Sequence, residues 1–101
     1  METVLPMMAS ALEINTLQDL RNYVYRNICE HNELEPGIFQ MTDRLLTRSG
    51  TTCGVFFCLY GPRSVRLTAI WESDGNNVLF YDSAGERTSI FRLPQAPQLS
   101  T

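Results

Sequence analysis

The chain has 101 residues, of which 44% are hydrophobic and 19% are charged, and its formal net charge is −3 at pH 7. These values predict one globular domain and exclude a largely disordered chain, because disorder goes with low hydrophobicity and high net charge. The mildly acidic balance gives no general reason to expect nucleic acid or an anionic membrane as a partner.

The chain has three cysteines, Cys29, Cys53 and Cys58, and an odd number without framework spacing argues against a secreted disulfide scaffold. The amino-terminal sequence METVLPMMASALEI has Glu2 but no basic residue ahead of its apolar residues, unlike a secretory signal. No apolar stretch reaches the roughly 18 to 20 residues that span a bilayer. We therefore expect an intracellular protein, cytoplasmic or nuclear, that does not insert into membranes.

All eight basic residues are arginine, and lysine is absent. The planar guanidinium group of arginine suits paired hydrogen bonds to carboxylate or phosphate and stacks on aromatic rings. Codon bias in a GC-rich gene would give the same composition. The sequence does not separate these explanations.

In chain order, residues 1–11 are predicted to be a flexible leader and residues 12–93 a single domain. Thr16 and Asp19 have the spacing of a capping box, which predicts the start of a helix. Apolar residues then recur at steps of three or four and fall on one helical face. The predicted helix runs from Leu17 to His31 and includes the apolar residues Leu17, Leu20, Val24 and Ile28.

The segment from Met41 to Gly50 is ambiguous between a short helix capped by Thr42 and a strand that leads into a turn at Ser49 and Gly50. We favour the strand. Residues 55–60, VFFCLY, form an unbroken run of aromatic, β-branched and other apolar residues, which is typical of a strand covered on both faces.

Gly61 and Pro62 predict a turn after this run. The alternation of apolar and polar residues over 65–72 indicates a half-buried strand, and Asp74 to Asn77 indicates a hairpin. Further strands are predicted at 78–81 and at 88–93, the last of them at the sheet edge. Residues 94–101, PQAPQLST, are predicted to be a disordered tail or a linker.

The expected fold class is therefore α+β, with one N-terminal amphipathic helix packed on a four- or five-stranded antiparallel β-meander. Sequential hairpins are favoured because each one closes only a short loop.

The sequence offers little material for catalysis. His31 is the only histidine, and its position at a helix end is explained by interaction with the last carbonyl groups and the helix dipole. Cys53 and Cys58 are five residues apart, so on one strand they would point to opposite faces and could not share a metal. Asp74, Asp82 and Glu86 lie at predicted turns, where acidic residues are common. We predict no enzyme activity, no metal and no cofactor.

The apolar run at 55–60 favours a binding function instead. One helix covers one sheet face, so a strand that is apolar on both sides needs a second cover, and an exposed apolar patch usually marks an interface. The predicted function is a non-catalytic protein–protein interaction or self-assembly module that binds another protein or forms a homodimer through a sheet face or an edge strand. The predicted partner-binding residues are Phe56, Phe57, Tyr60, Arg63, Arg66 and Trp71.

Two alternatives remain open. Sheet aromatics and arginines could instead bind single-stranded nucleic acid by stacking bases and contacting phosphates. Against this, the net charge is negative and the arginines are spread evenly along the chain. Arg66 could equally pair with a nearby acid such as Glu72 or Asp82, which is routine in sheets.

Overall fold

The computed structural model describes residues 14–99, which form one helix followed by five strands. The strands make one open antiparallel sheet in the order β1-β2-β3-β4-β5, which confirms the predicted α+β meander with five strands. The elements are α1 (Leu17–His31), β1 (Gln40–Arg48), β2 (Thr51–Tyr60), β3 (Arg66–Glu72), β4 (Asn77–Tyr81) and β5 (Arg87–Arg92).

Helix α1 begins and ends at the predicted residues. The hydroxyl of Thr16 accepts a hydrogen bond from the Asp19 amide at 3.1 Å, and the Asp19 carboxylate accepts one from the Thr16 amide at 3.2 Å. This capping box satisfies amides that would otherwise lack partners in the first turn. At the other end, both the backbone and the side-chain amide of Asn32 donate to the Ile28 carbonyl, which closes the last turn.

The core lies between α1 and one face of the sheet. Leu20, Val24 and Ile28 of α1 are buried, each one helical turn from the next. Alternate residues of β2 and β3 bury the facing surface of the sheet, because successive strand side chains point to opposite sides. These sheet residues are Val55, Phe57, Leu59, Leu67, Ala69 and Trp71.

The ambiguous segment is a strand, as favoured from the sequence, because Gln40–Arg48 pairs along its whole length with β2. Leu46 pairs with Gly54 and Thr47 with Thr52, so Cys53 is an extra residue in β2 and forms a bulge. The bulge leaves β2 with ten residues against the nine of β1.

The chain after β5 needs a correction. A disordered tail or linker was predicted from residue 94, but residues 94–99 return to the start of α1. Gln98 donates from its amide to the Asn15 carbonyl at 2.7 Å, and its carbonyl accepts from the Leu17 amide at 3.1 Å. Pro97 is buried and Leu99 packs against the core. Composition alone misled here, because these apolar side chains have a place to pack that only the folded domain provides. The predicted leader, residues 1–11, lies outside the described residues.

Over residues 14–99, helix α1 is too short and too polar to cross a membrane.

Candidate functional site: the open face of the sheet

The sheet face opposite α1 is called the open face. The strand registers place one residue from each strand in a line across it, because Arg44 pairs with Phe56, Phe56 with Ile70, Ile70 with Leu79 and Leu79 with Ile90. The four apolar members of this line, Phe56, Ile70, Leu79 and Ile90, are called the apolar row. They come from four different strands, so only the folded sheet brings them together.

The apolar row is accessible to solvent. The side chain of Ile90 is 49% exposed, and the other three are half-buried by their neighbours on the sheet. On the opposite face, Val55 and Phe57 are both 0% exposed because α1 covers them. No helix or strand within residues 14–99 covers the apolar row.

Arginines surround the apolar row. Alternation along the strands and the cross-strand pairs place five of the eight arginines on the open face. Glu72 is the only carboxylate at a strand position of this face in the described part of the chain. The open face is therefore strongly positive, although the whole chain carries a net charge of −3. The five arginines are Arg44, Arg48, Arg66, Arg87 and Arg92.

Two of these arginines stack on aromatic rings. The guanidinium carbon of Arg44 lies 5.5 Å from the centre of the Phe56 ring, and that of Arg66 lies 5.8 Å from the centre of the Tyr60 ring. Both distances are within the range of cation–π attraction. The stacking holds the two guanidinium groups beside the apolar row and leaves their N–H edges available to an acceptor.

Glu72 is occupied by the turn between β3 and β4. Its carboxylate accepts hydrogen bonds from the Gly75 amide at 3.0 Å and from the Asn77 side-chain amide at 2.8 Å. These bonds, with a smaller contribution from the positive charge of Arg92, lower the pKa of Glu72 below its ordinary value. Glu72 is therefore ionised at neutral pH, and its carboxylate holds the turn together.

The structure divides the predicted partner-binding residues into two groups. Phe56, Tyr60 and Arg66 lie on the open face, and Arg63 is exposed in the short 3-10 turn Pro62–Ser64 that follows β2. Phe57 and Trp71 lie under α1, with 0% and 4% exposure, so a partner cannot reach them in this fold. Including these two was a mistake. For Phe57 the cause is the unbroken apolar run at 55–60, which gives no parity that distinguishes the two faces of a strand. For Trp71 the alternation over 65–72 already places the side chain on the face opposite Arg66.

Sequence reasoning missed most of the site. Ile70, Leu79 and Ile90, together with Arg44, Arg87 and Arg92, were not among the predicted residues. The arginines are evenly spaced in the sequence, and their convergence depends on which residues pair across the strands. The alternation of polar and apolar residues in β3 was the one available signal, since it places Ile70 on the same face as Arg66.

Two polar side chains that line the cleft between α1 and β1, those of Arg21 and Tyr25, are already paired. Arg21 contacts the Asp43 carboxylate at 2.6 Å and donates to the Met41 carbonyl at 2.7 Å. The Tyr25 hydroxyl donates to the Phe39 carbonyl at 2.7 Å and accepts from the Gly37 amide at 2.9 Å. These bonds attach the 37–43 region to α1.

The second cleft, beside His31, measures about 100 Å³ and is lined also by Ile28, Phe80, Asp82 and Thr88. Cys29 is buried, at 1% exposure, and this burial raises the pKa of its thiol. In residues 14–99, no three histidine, cysteine, aspartate or glutamate side chains come together as metal ligands would. The predictions of no catalysis, no metal and no cofactor stay predictions.

The two sheet edges are less suited to binding than the open face. Edge strand β1 carries Asp43, Arg44 and Arg48, and edge strand β5 begins and ends with arginine and has a register shift opposite Phe80 and Tyr81. Charged side chains and irregular pairing are the usual means by which edges avoid adding another strand.

No protein-family model matches this chain, and neither the curated proteins nor the solved structures compared with it include a match.

Proposed function

We propose that this chain is a non-catalytic, intracellular protein-interaction module that docks another protein on its open face. The observation that carries this proposal is the apolar row, a line of four apolar side chains that crosses from β2 to β5 and is bordered by arginines.

An apolar centre with aromatic and arginine neighbours is the usual composition of a protein-binding hot spot. Phe56 supplies a large apolar surface at the centre of the sheet, and Ile90 supplies a more exposed one near its edge. Arg44, held against the Phe56 ring, has lost part of its conformational freedom before a partner arrives. Such preorganisation lowers the entropic cost of binding.

A second copy of the chain is a poor partner for a face-to-face contact. Such a dimer would bring five arginines against five others. Among the described strand residues of this face, Glu72 alone offsets them, and it is already bonded to its own turn. Like charges brought together across an interface cost several kcal/mol. The homodimer predicted from the sequence is therefore less favoured than a complex with a different protein.

Single-stranded nucleic acid is the second candidate, and the convergence of five arginines on one face favours it. Phe56, Tyr60 and Tyr81 also lie on this face, and aromatic rings on a sheet can stack bases. Against it, Arg44 and Arg66 already lie over two of these rings. The aliphatic side chains of Ile70, Leu79 and Ile90 offer bases no stacking surface. The protein partner is favoured for this reason.

The proposal is tested by placing a photo-crosslinking amino acid at Ile90 and, as a matched control, at Gln18 on the exposed side of α1. Both proteins are irradiated in a cell extract, and the adducts are identified by mass spectrometry. We expect discrete protein adducts from the crosslinker at position 90 that the crosslinker at position 18 does not give. We expect these adducts to disappear when the Ile70→Asp substitution is added to the protein that carries the crosslinker at position 90. Identical adducts from the two positions would contradict docking on the open face.

A further inference from the structure

Resting on the proposed function, we infer that the partner docks as an amphipathic α-helix, with an apolar stripe that lies along the apolar row and carboxylates near both of its ends. The inference follows from the dimensions of the row, from the position of the arginines and from the way the chain covers the other face of its own sheet.

The spacing of the apolar row matches that of a helix face. Neighbouring strands are about 4.8 Å apart, so the row from Phe56 to Ile90 spans roughly 14 Å. On a helix, side chains three or four residues apart are about 5 to 6 Å from each other. A helix laid across the strands would thus place one apolar side chain near each strand, and about three turns would cover the row.

Helix α1 shows that this sheet is suited to such a cover. On the opposite face it buries Leu20, Val24 and Ile28, each four residues from the next, against the alternating apolar residues of β2 and β3. Across the open face, the apolar row runs in the order Phe56, Ile70, Leu79 and Ile90. All four side chains are apolar, and no helix within residues 14–99 covers them.

The arginines fix the charge expected of the partner. Arg44 lies at the β1 end of the apolar row, beside Phe56. Arg87 and Arg92 lie at the β5 end, on either side of Ile90 along the strand. A helix with glutamate or aspartate near both ends would meet a guanidinium group at each end, which can bind a carboxylate through two parallel hydrogen bonds.

The test uses a defined probe, a fluorescein-labelled peptide of about 14 residues with leucines at helical spacing and glutamates elsewhere. A second peptide with lysine in place of every glutamate is the matched control. Binding to the full chain is followed by fluorescence anisotropy. We expect the acidic peptide to bind at least about tenfold more tightly than the basic one, and Ile90→Ser to weaken its binding by about tenfold.

A charge-reversed variant sharpens the result. In the triple variant Arg44→Glu, Arg87→Glu, Arg92→Glu, the preference is expected to switch to the basic peptide. The melting temperatures of this variant and of Ile90→Ser are compared with that of the original chain, so that a loss of binding is not confused with a loss of fold. The acidic helix is overturned if neither peptide binds, if both bind equally, or if the preference does not switch.

A labelled oligouridylate of about 15 nucleotides is measured beside the peptides. The inference is overturned if the oligouridylate binds, its affinity falls steeply as the salt concentration rises, and the acidic peptide does not bind. That result would identify a nucleic acid as the partner. If the acidic peptide fails while the crosslinker at Ile90 still gives adducts confined to the open face, the proposed function stands and only the acidic helix is wrong. If both experiments fail, the proposed function falls as well.

Discussion

Gly54 lies where β2 comes close to β3, immediately after the bulge at Cys53. A β-carbon built on Gly54 would stand 2.5 Å from the carbonyl oxygen of Trp71, a backbone atom that cannot rotate away. Glycine is required here because of this close approach. The same residue pairs with Leu46 on one side and Glu72 on the other, so the local fit affects three strands.

We predict that Gly54→Ala lowers the free energy of unfolding by about 1 to 3 kcal/mol, because the two strands must move apart to admit the methyl group. Urea unfolding of the purified protein measures this change. Gly61→Ala is the matched control, since a β-carbon there would meet its nearest neighbour at an ordinary 3.6 Å. A Gly54→Ala protein as stable as the Gly61→Ala protein would show that the strands are not as close as described.

The turn between β3 and β4 shows how an element depends on one ionised group. Glu72 accepts hydrogen bonds from Gly75 and Asn77, and the Trp71 indole donates to the Asn76 side chain at 2.8 Å. The bonds to Glu72 lower its pKa, which means that the folded state binds the proton less readily than the unfolded chain does. The stabilisation is therefore present in full above the unfolded pKa and is lost as the pH falls through the lower, folded value.

We predict that stability decreases as the pH is lowered below about 4, and that Glu72→Gln removes part of this decrease, because glutamine cannot be titrated. Urea unfolding measured between neutral pH and pH 3 provides the test. Glu35→Gln, an exposed substitution before β1, is the control. The explanation fails if the Glu72→Gln and Glu35→Gln proteins lose stability in parallel over this range.

The elements differ in how far the sequence defines them. Helix α1 was predicted to the residue because a capping box and an asparagine stop are local signals, complete within a few positions. The strand at Gln40–Arg48 was harder, because its charged and apolar residues do not alternate cleanly and its stability comes from pairing with β2. The segment 94–99 was mistaken for a tail, since its hydrogen bonds are to Asn15 and Leu17, about 80 positions earlier in the chain.

At the scale of the whole molecule, the two sheet faces have different roles. One face is sealed by α1 and contributes most of the buried core, whereas the other is apolar at its centre and positive around it. The sequence predicted that one face would lack a cover, because it contains a single amphipathic helix and a strand that is apolar on both sides. It could not show which phenylalanine faces which way, nor that distant arginines meet, because both depend on strand register.

Adjacent residues Phe56 and Phe57 provide a direct test of this division. We predict that Phe57→Ala costs about 3 to 5 kcal/mol of unfolding free energy, because it leaves a cavity beneath α1. Phe56→Ala is expected to cost about 1 kcal/mol or less, since its side chain is partly solvated already. The two variants serve as each other's control in thermal or urea unfolding. Equal losses would mean that both faces are sealed.

The pairing of Gln98 with Asn15 and Leu17 has a practical consequence for engineering. Because Gln98 lies beside Asn15 and Leu17 at the start of the helix, a short peptide linker could join the two ends of a shortened protein that consists of residues 14–99, and new ends could be opened in the exposed reverse turn after β4. Such a circular permutant would keep every strand pair intact. The shortened protein can be attached to a solid support through its ends beside the start of α1, and the permutant through its new ends after β4. Binding of a partner to the two attached proteins could then be compared.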